Sequence, residues 1–382
     1  MSQSLTVLRF LINEVRTTMK NSLSRRDFLV RSTQSSAIVS TAAAALAGGQ
    51  TFAATGRPKI KMGQIGVGHA HAKGKMAAFR KSPDFEVVGV VESDEQRRQD
   101  AMKDEVYQGL RWMTQEELLN TPGLQAVAVE TEVEHLLDAA ETCVQAGLNV
   151  HLDKPAGRSL AQFRRILELA DQQRLTLQMG YMYRYNPAVL LLKDLLRKGW
   201  LGEVFELHAV MSKVVNPKKR RRWAEHPGGV MFELGCHLVD LMVGVLGRPS
   251  EVTPFNQHVA KIDDGLVDNM LAVCTYPRAL ASLKSSAMEV EGFDRRHFVV
   301  CGSEGTLHIQ PLDAPNVRLA LSKPRGSYRA EYQEIPFGPY DRYVADIADL
   351  AQIIRGEKAS DYNSEHDLAV QETLLQACEL GV

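Results

Sequence analysis

Ile60-Lys61-Met62-Gly63-Gln64-Ile65, running straight into Gly66-Val67-Gly68-His69-Ala70-His71, is the stretch on which the fold turns. Six mostly apolar residues read as a strand, and the two spaced glycines read as a tight turn into a helix over Ala72 to Lys81. Phe85 to Val91 follows as a second strand. Its run Glu86-Val87-Val88-Gly89-Val90-Val91 is almost continuously apolar, as expected for a strand covered on both faces of a parallel sheet. Outward from there the alternation continues. A strand is expected at Ala126 to Val129, a helix at His135 to Ala146, a strand at Asn149 to Leu152, a helix from Leu160 to Gln173 and a strand at Leu175 to Met179. Alternating strands and helices specify a doubly wound α/β fold.

The glycine loop carries chemistry as well as topology. Gly66 permits the turn, and Gly68 lets backbone N–H groups approach a pyrophosphate at a helix N-terminus, with His69 a hydrogen-bond donor beside it. Glu92, closing the second strand, is placed to bond the adenosine ribose and to repel a 2′-phosphate, which favours NAD. Arg97 and Arg98 nearby keep NADP open. His71 stands where glycine or alanine is usual. No third ligand of suitable spacing accompanies His69-x-His71, so no metal is expected, and Lys73-Gly74-Lys75 reads as a solvated helix start.

The bulk properties narrow the function classes. The chain has 382 residues, 45% hydrophobic and 24% charged, with a formal net charge of -1. Nothing in that balance points to nucleic acid or to a membrane surface, and no apolar run is long enough to span a bilayer. Five scattered cysteines without CxxC spacing point to neither a disulfide framework nor a structural zinc site. The N-terminus reads differently. Ser24-Arg25-Arg26-Asp27-Phe28-Leu29-Val30 matches the twin-arginine export pattern, an Ala-rich stretch from Ala37 to Ala47 follows, and small residues at Ala45-Leu46-Ala47 and Phe52-Ala53-Ala54 offer processing sites. Residues 1–54 are expected to be a leader to the periplasm or beyond, with Met19 a second candidate start. Because such leaders carry folded proteins, a tightly held cofactor is expected.

From Lys59 onward the chain resembles the glucose–fructose oxidoreductase/inositol dehydrogenase/MocA (Gfo/Idh/MocA) family. Asp153-Lys154-Pro155 is similar to its Glu-Lys-Pro motif. Gly180-Tyr181-Met182-Tyr183-Arg184-Tyr185-Asn186-Pro187 resembles the opening of its second domain. Gly228 to Asp240 resembles its glycine-rich run, and Gly302-Ser303-Glu304-Gly305 its late turn. The resemblance implies an NAD-binding Rossmann domain over 57–179. It also implies a C-terminal α+β domain over 180–382 with a large open, mostly antiparallel sheet, and assembly as a homodimer or homotetramer. Strands at Val204 to Met211, Met270 to Thr275, Ala279 to Ser286, His297 to Cys301 and Thr306 to Ile309 agree with it.

The same resemblance places Lys154 at the reacting centre as a cation for a developing alkoxide, next to the cofactor, with a cis peptide before Pro155. His237 becomes the general acid/base, its imidazole ordinarily titrating near neutrality. Glu233, four residues earlier and one α-helical turn away, is expected to orient it. His135 matches a family histidine near the nicotinamide, while Glu130 lies unexpectedly close to the pyrophosphate. Tyr181, Tyr183 and Arg184 are candidate substrate or cofactor contacts, with a packing role for the two tyrosines equally open. The basic run Lys218 to Arg222 reads first as a solvated loop; the alternative is that Arg222 and Trp223 line the cleft, Trp223 stacking on a sugar and the arginine binding a hydroxyl or carboxylate. The expected activity is NAD(H)-dependent oxidation of a secondary alcohol of a sugar, polyol or glycoside. A glycosidase working by transient oxidation, and a non-catalytic NAD-bound sensor, remain open beside it.

Overall fold

The computed structural model describes residues 57–381, so the leader expected over 1–54 lies outside the described residues. The first sheet is built from β1 (Ile60–Ile65), α1 (Ala72–Lys81), β2 (Phe85–Val91), α2 (Glu95–Met102), β3 (Trp112–Met113), α3 (Gln115–Leu119), β4 (Ala126–Val129), α4 (Leu136–Gln145), β5 (Asn149–Leu152), α5 (Leu160–Gln173) and β6 (Leu177–Met179). Its strands are parallel in the order β3-β2-β1-β4-β5-β6. This is the doubly wound dinucleotide-binding order, in which ligands lie beyond the carboxyl ends of the strands where the order reverses. Those ends carry Gly66, Glu92, Glu130 and Asp153, so topology alone gathers them on one edge.

After a short 3-10 turn over Met182–Tyr185, α6 (Pro187–Arg197) leads to β7 (Val204–Val210), α7 (Pro217–Ala224) and α8 (Cys236–Leu246). Then come β8 (Glu251–Gln257), β9 (Asn269–Tyr276), β10 (Ala279–Ser286), α9 (Gly292–Arg295), β11 (His297–Gly302), β12 (Gly305–Ile309), β13 (Asn316–Leu321) and β14 (Gln333–Pro336). They form an eight-stranded sheet ordered β14-β13-β12-β11-β7-β10-β9-β8, antiparallel except where β7 and β10 run parallel. Helix α7 begins with Asn216, whose side chain accepts the Lys219 N–H at 2.9 Å, followed by Pro217 at the first helical position.

The last two helices, α10 (Val344–Ile354) and α11 (Ser364–Ala377), tie the halves together. Although α10 follows the second sheet in sequence, it packs on the first: Ile347, Leu350 and Ala351 share a core with Ile60, Met62, Phe79, Phe85, Ala126 and Ala128. Each such large side chain contributes about 1.5–3 kcal/mol by leaving water. Helix α11 lies against α8 and α5. Among the described residues no helix is long and apolar enough to cross a membrane.

Candidate active site at the strand ends of the first sheet

At the glycine loop, Gly66 has φ +86°, and a Cβ there would fall 2.5 Å from the Thr131 backbone nitrogen. Only glycine fits that turn. Glu92 is buried and accepts the Val67 N–H and the Asp94 N–H, each at 2.9 Å, with Arg97 Nε 3.4 Å away. The carboxylate thus braces the loop from beneath. These residues, with the α1 N-terminus behind them, fit the adenosine and pyrophosphate half of a dinucleotide. Glu132 departs from the pattern. Its carboxylate lies where a Cβ on Gly68 would come within 2.5 Å, and it is paired with Arg97.

Behind the loop lies a buried polar cluster that spacing did not reveal. Asp153 Oδ2 is 2.7 Å from His69 Nδ1, and Asp153 Oδ1 is 3.2 Å from His71 Nδ1. Lys75 is fully buried, with its ammonium 3.4 Å from both Glu130 and Asp153. The expected solvated helix start is therefore wrong for Lys75. The signal was available in the spacing: Ala72, Met76 and Phe79 form the buried stripe of α1, and residue 75 falls within it. Burial alone would raise Asp153, but His69, Lys75 and His71 hold it well below the usual carboxylate range. Burial and neighbouring Asp153 push Glu130 well up, despite Lys75. Burial opposes the Lys75 charge, and Asp153 and Glu130 outweigh that effect, so its pKa rises. Protonation of Glu130 is thereby favoured, which eases the conflict between a carboxylate and a pyrophosphate. The fold also supplies, in Asp153, the third group beside His69 and His71 that sequence spacing lacked.

Lys154 follows directly, with a cis peptide before Pro155. Its ammonium donates to the Glu233 carbonyl oxygen at 3.1 Å. His237 is buried, its Nδ1 has no hydrogen-bond partner, and its ring lies 6.3 Å from the His71 ring. Burial, then the charges of Lys154 and His71, push His237 well below its ordinary range. A resting pKa near neutrality was expected; the structure holds this imidazole in its neutral form instead. An unpartnered buried nitrogen beside a lysine cation is costly to keep and is typical of a reacting centre.

The expected pairing of Glu233 with His237 is not formed. Residues Met231–Gly235 make a π-helical turn that widens the spiral before α8. Four-residue spacing therefore no longer aligns the two side chains. The Glu233 carboxylate faces Lys213 and Lys219. Arg184 is also not a substrate contact: its guanidinium is buried and bound to Asp240 and Asp367 at 2.5–2.9 Å, stacked 3.9 Å over Tyr362. Its Nε and Nη2 donors are taken by the two carboxylates. Tyr181 and Tyr183 are buried and wall in His237 by their edges at 5.9 and 4.9 Å, and the Tyr183 hydroxyl donates to Asp313. The Tyr181 hydroxyl is buried without a hydrogen-bond partner.

Arg222 donates to the Gly68 carbonyl at 3.0 Å, so it caps the glycine loop. Trp223 is buried, with two lysines over its ring. His135 is exposed at the start of α4, on the 3-10 turn Val133–His135, whose Glu134 lies 3.4 Å from His226 just after α7.

Comparison with known proteins agrees with this geometry. Residues 60–181 match the oxidoreductase family with an NAD-binding Rossmann fold, and residues 189–308 match the GFO/IDH/MocA C-terminal domain. The uncharacterized oxidoreductase YdgJ of Escherichia coli (strain K12) is 27% identical over 85% of this chain and 95% of its own length. The D-xylose 1-dehydrogenase [NADP(+)] of Haloarcula marismortui is 23% identical over 86% of this chain and 93% of its own. The solved UDP-N-acetylglucosamine 3-dehydrogenase GnnA from Acidithiobacillus ferrooxidans shares the fold with a TM-score of 0.70, at 20% identity over 85% of this chain and 98% of that one. Rossmann order, the Asp-Lys-Pro strand end, the buried histidine and both domain matches converge, and the chain belongs to the GFO/IDH/MocA oxidoreductase family.

Proposed function

We propose that the chain oxidises a secondary alcohol of a sugar or polyol with a nicotinamide dinucleotide, reversibly. The observation that carries this is the placing of the Lys154 ammonium beside a neutral His237 whose Nδ1 is unpartnered, next to the glycine loop. A dinucleotide held by the Gly66–Gly68 loop and Glu92 would supply the hydride acceptor. His237 takes the hydroxyl proton, which its neutral form is ready to do. Lys154 lies where it can stabilise the alkoxide as the C–H bond breaks, and the Glu233 carbonyl fixes its direction. Glu92 supports NAD over NADP, although Arg97 beside it is the natural partner for a 2′-phosphate.

The reading includes three further parts. The twin-arginine motif at Ser24 to Val30 supports export with the dinucleotide on board, which requires the cofactor to be held tightly and recycled in place. The second sheet leaves Phe255 and Leu280 exposed, which supports self-association through that face. The name of the Haloarcula relative supports a sugar substrate.

The test is turnover. Purified protein is incubated with NAD or NADP and a panel of hexoses, pentoses and inositols, and reduction is followed by absorbance. Lys154→Ala is expected to lower kcat roughly 10²–10⁴-fold while dinucleotide binding persists. Full turnover by that variant would sink the mechanism. Release of nitrophenol from nitrophenyl glycosides without reduced cofactor accumulating would replace it with a redox-cycling glycosidase.

A further inference from the structure

Lys213 lies just beyond the end of β7, and Lys219 is in the first turn of α7. Their ammonium groups stand over the same indole: Lys219 Nζ is 5.0 Å and Lys213 Nζ 5.7 Å from the Trp223 ring. Lys213 is also 6.0 Å from the Phe293 ring. Both lysines are only half exposed. Elsewhere in the molecule lysines find carboxylates: Lys73 with Asp104, Lys198 with Asp194, and Lys358 with Asp349. Among the described residues neither Lys213 nor Lys219 has an ion pair, and neither does Lys154. Glu233 is the carboxylate that faces them, and it offsets one of the three charges. Of the other cations nearby, Arg296 is paired with Asp313 at 2.9 Å, and Arg222 donates to the Gly68 carbonyl.

Bringing two ammonium groups together on one aromatic face, partly out of water and with one carboxylate against three cations, is unfavourable unless something negative joins them or one gives up its proton to the other. We propose that the sugar substrate carries a negative charge, a carboxylate or a phosphate, seated between Lys213 and Lys219 against Trp223. Trp223 supplies a flat wall and the two lysines a fork of donors, while Lys154 lies close enough to repel both. Burial, then Lys219, Arg296 and Lys154, against the pull of Glu233, lower Lys213 to about 8. An anion is the ligand that would restore its charge. This identification rests on the dehydrogenase reading for what reacts next to the anion.

The experiment separates the two claims. Cofactor-loaded protein is titrated with glucose, glucuronate and glucose 6-phosphate, following the fluorescence of Trp223 with Trp223→Phe as control, and cofactor reduction is read in parallel. At least one of the charged sugars is expected to bind at least tenfold more tightly than glucose, and its affinity to fall as pH rises through about 8. Lys213→Met and Lys219→Met should each weaken that binding about tenfold and lower the ratio of kcat/KM for charged over neutral sugar. Lys219 lies on a half-exposed helix face, so its variant reports even if Lys213→Met folds poorly. Glucuronate arms distinguish a carboxylate from a phosphate. Equal binding of neutral and charged sugars overturns the anion site while leaving the dehydrogenase reading intact if cofactor is reduced. Tight lysine-dependent binding with no reduction keeps the site and overturns the reading. Loss of dinucleotide, rather than sugar, from the lysine variants would assign these residues to the cofactor and overturn the proposal.

Discussion

His71 and His151 are both lowered to about 3, chiefly by burial, and His237 is lowered well below its ordinary range for the same reason. Unfolded, each takes a proton near pH 6.5. Between that pH and about 3 the unfolded chain therefore binds more protons, and stability falls on acidification by up to about 1.4 kcal/mol per pH unit for each histidine. Glu130 and Asp346 act in the opposite sense, because burial raises both, Asp346 to about 6, and their protonation favours the folded chain. His151 bonds Gln178 at 2.8 Å and sets its ring edge on Phe79, with Lys75 and Asp153 acting on it through their charges. In urea unfolding, His151→Phe is expected to lose about 2 kcal/mol less than the parent between pH 7 and pH 5; identical losses would refute the assignment. At this scale Gly66, Lys154 and His237 were legible because each sits in a motif. Lys213 and the Asp153 cluster were not, since their chemistry comes from burial and from neighbours distant in sequence, whereas the burial of Lys75 was signalled by its place in the α1 stripe.

The widened turn Met231–Gly235 shows how an element decides a residue's role. A periodicity of 3.6 pairs Glu233 with His237, whereas the π-turn sends the carboxylate towards Lys213 and Lys219 and gives the Lys154 ammonium a backbone acceptor. Glu233→Gln is accordingly expected to change KM several-fold while leaving the pH dependence of kcat in place. A shifted pH profile would restore the paired geometry. Strands with long buried apolar runs and the amphipathic helix α5 were read well from sequence: β1, β2, β4, β5 and α5 match their expected bounds. Strand β3 is two residues long, and β8, β13 and β14 lie at or beside the sheet's edges, β8 and β14 with no buried residue. None of these four offers a sustained apolar run to detect.

At the scale of the whole molecule, Arg184 joins three segments that sequence keeps far apart: the turn Met182–Tyr185, α8 through Asp240 and α11 through Asp367. His366 adds a contact to Asp240 at 3.3 Å. Removing the guanidinium leaves two buried carboxylates facing each other. Arg184→Met is expected to cost roughly 3–5 kcal/mol, seen as a lower denaturant midpoint with an unchanged m-value. A loss below about 1 kcal/mol would show that the network is not what holds α11 in place. The Asp-Lys-Pro and glycine-rich motifs made both halves of the fold legible in advance, but no local pattern announced this junction.

Helix α10 has a consequence for biosynthesis. Its Ile347 and Leu350 complete the apolar face whose other members, Ile60, Met62, Phe79 and Phe85, are among the first described residues to leave the ribosome. At translation speeds of ~5–20 residues per second, the nascent chain carries that face uncovered for tens of seconds. The first sheet therefore closes only after the second has been synthesised, and the newborn protein is a client for chaperones that shield exposed apolar surface.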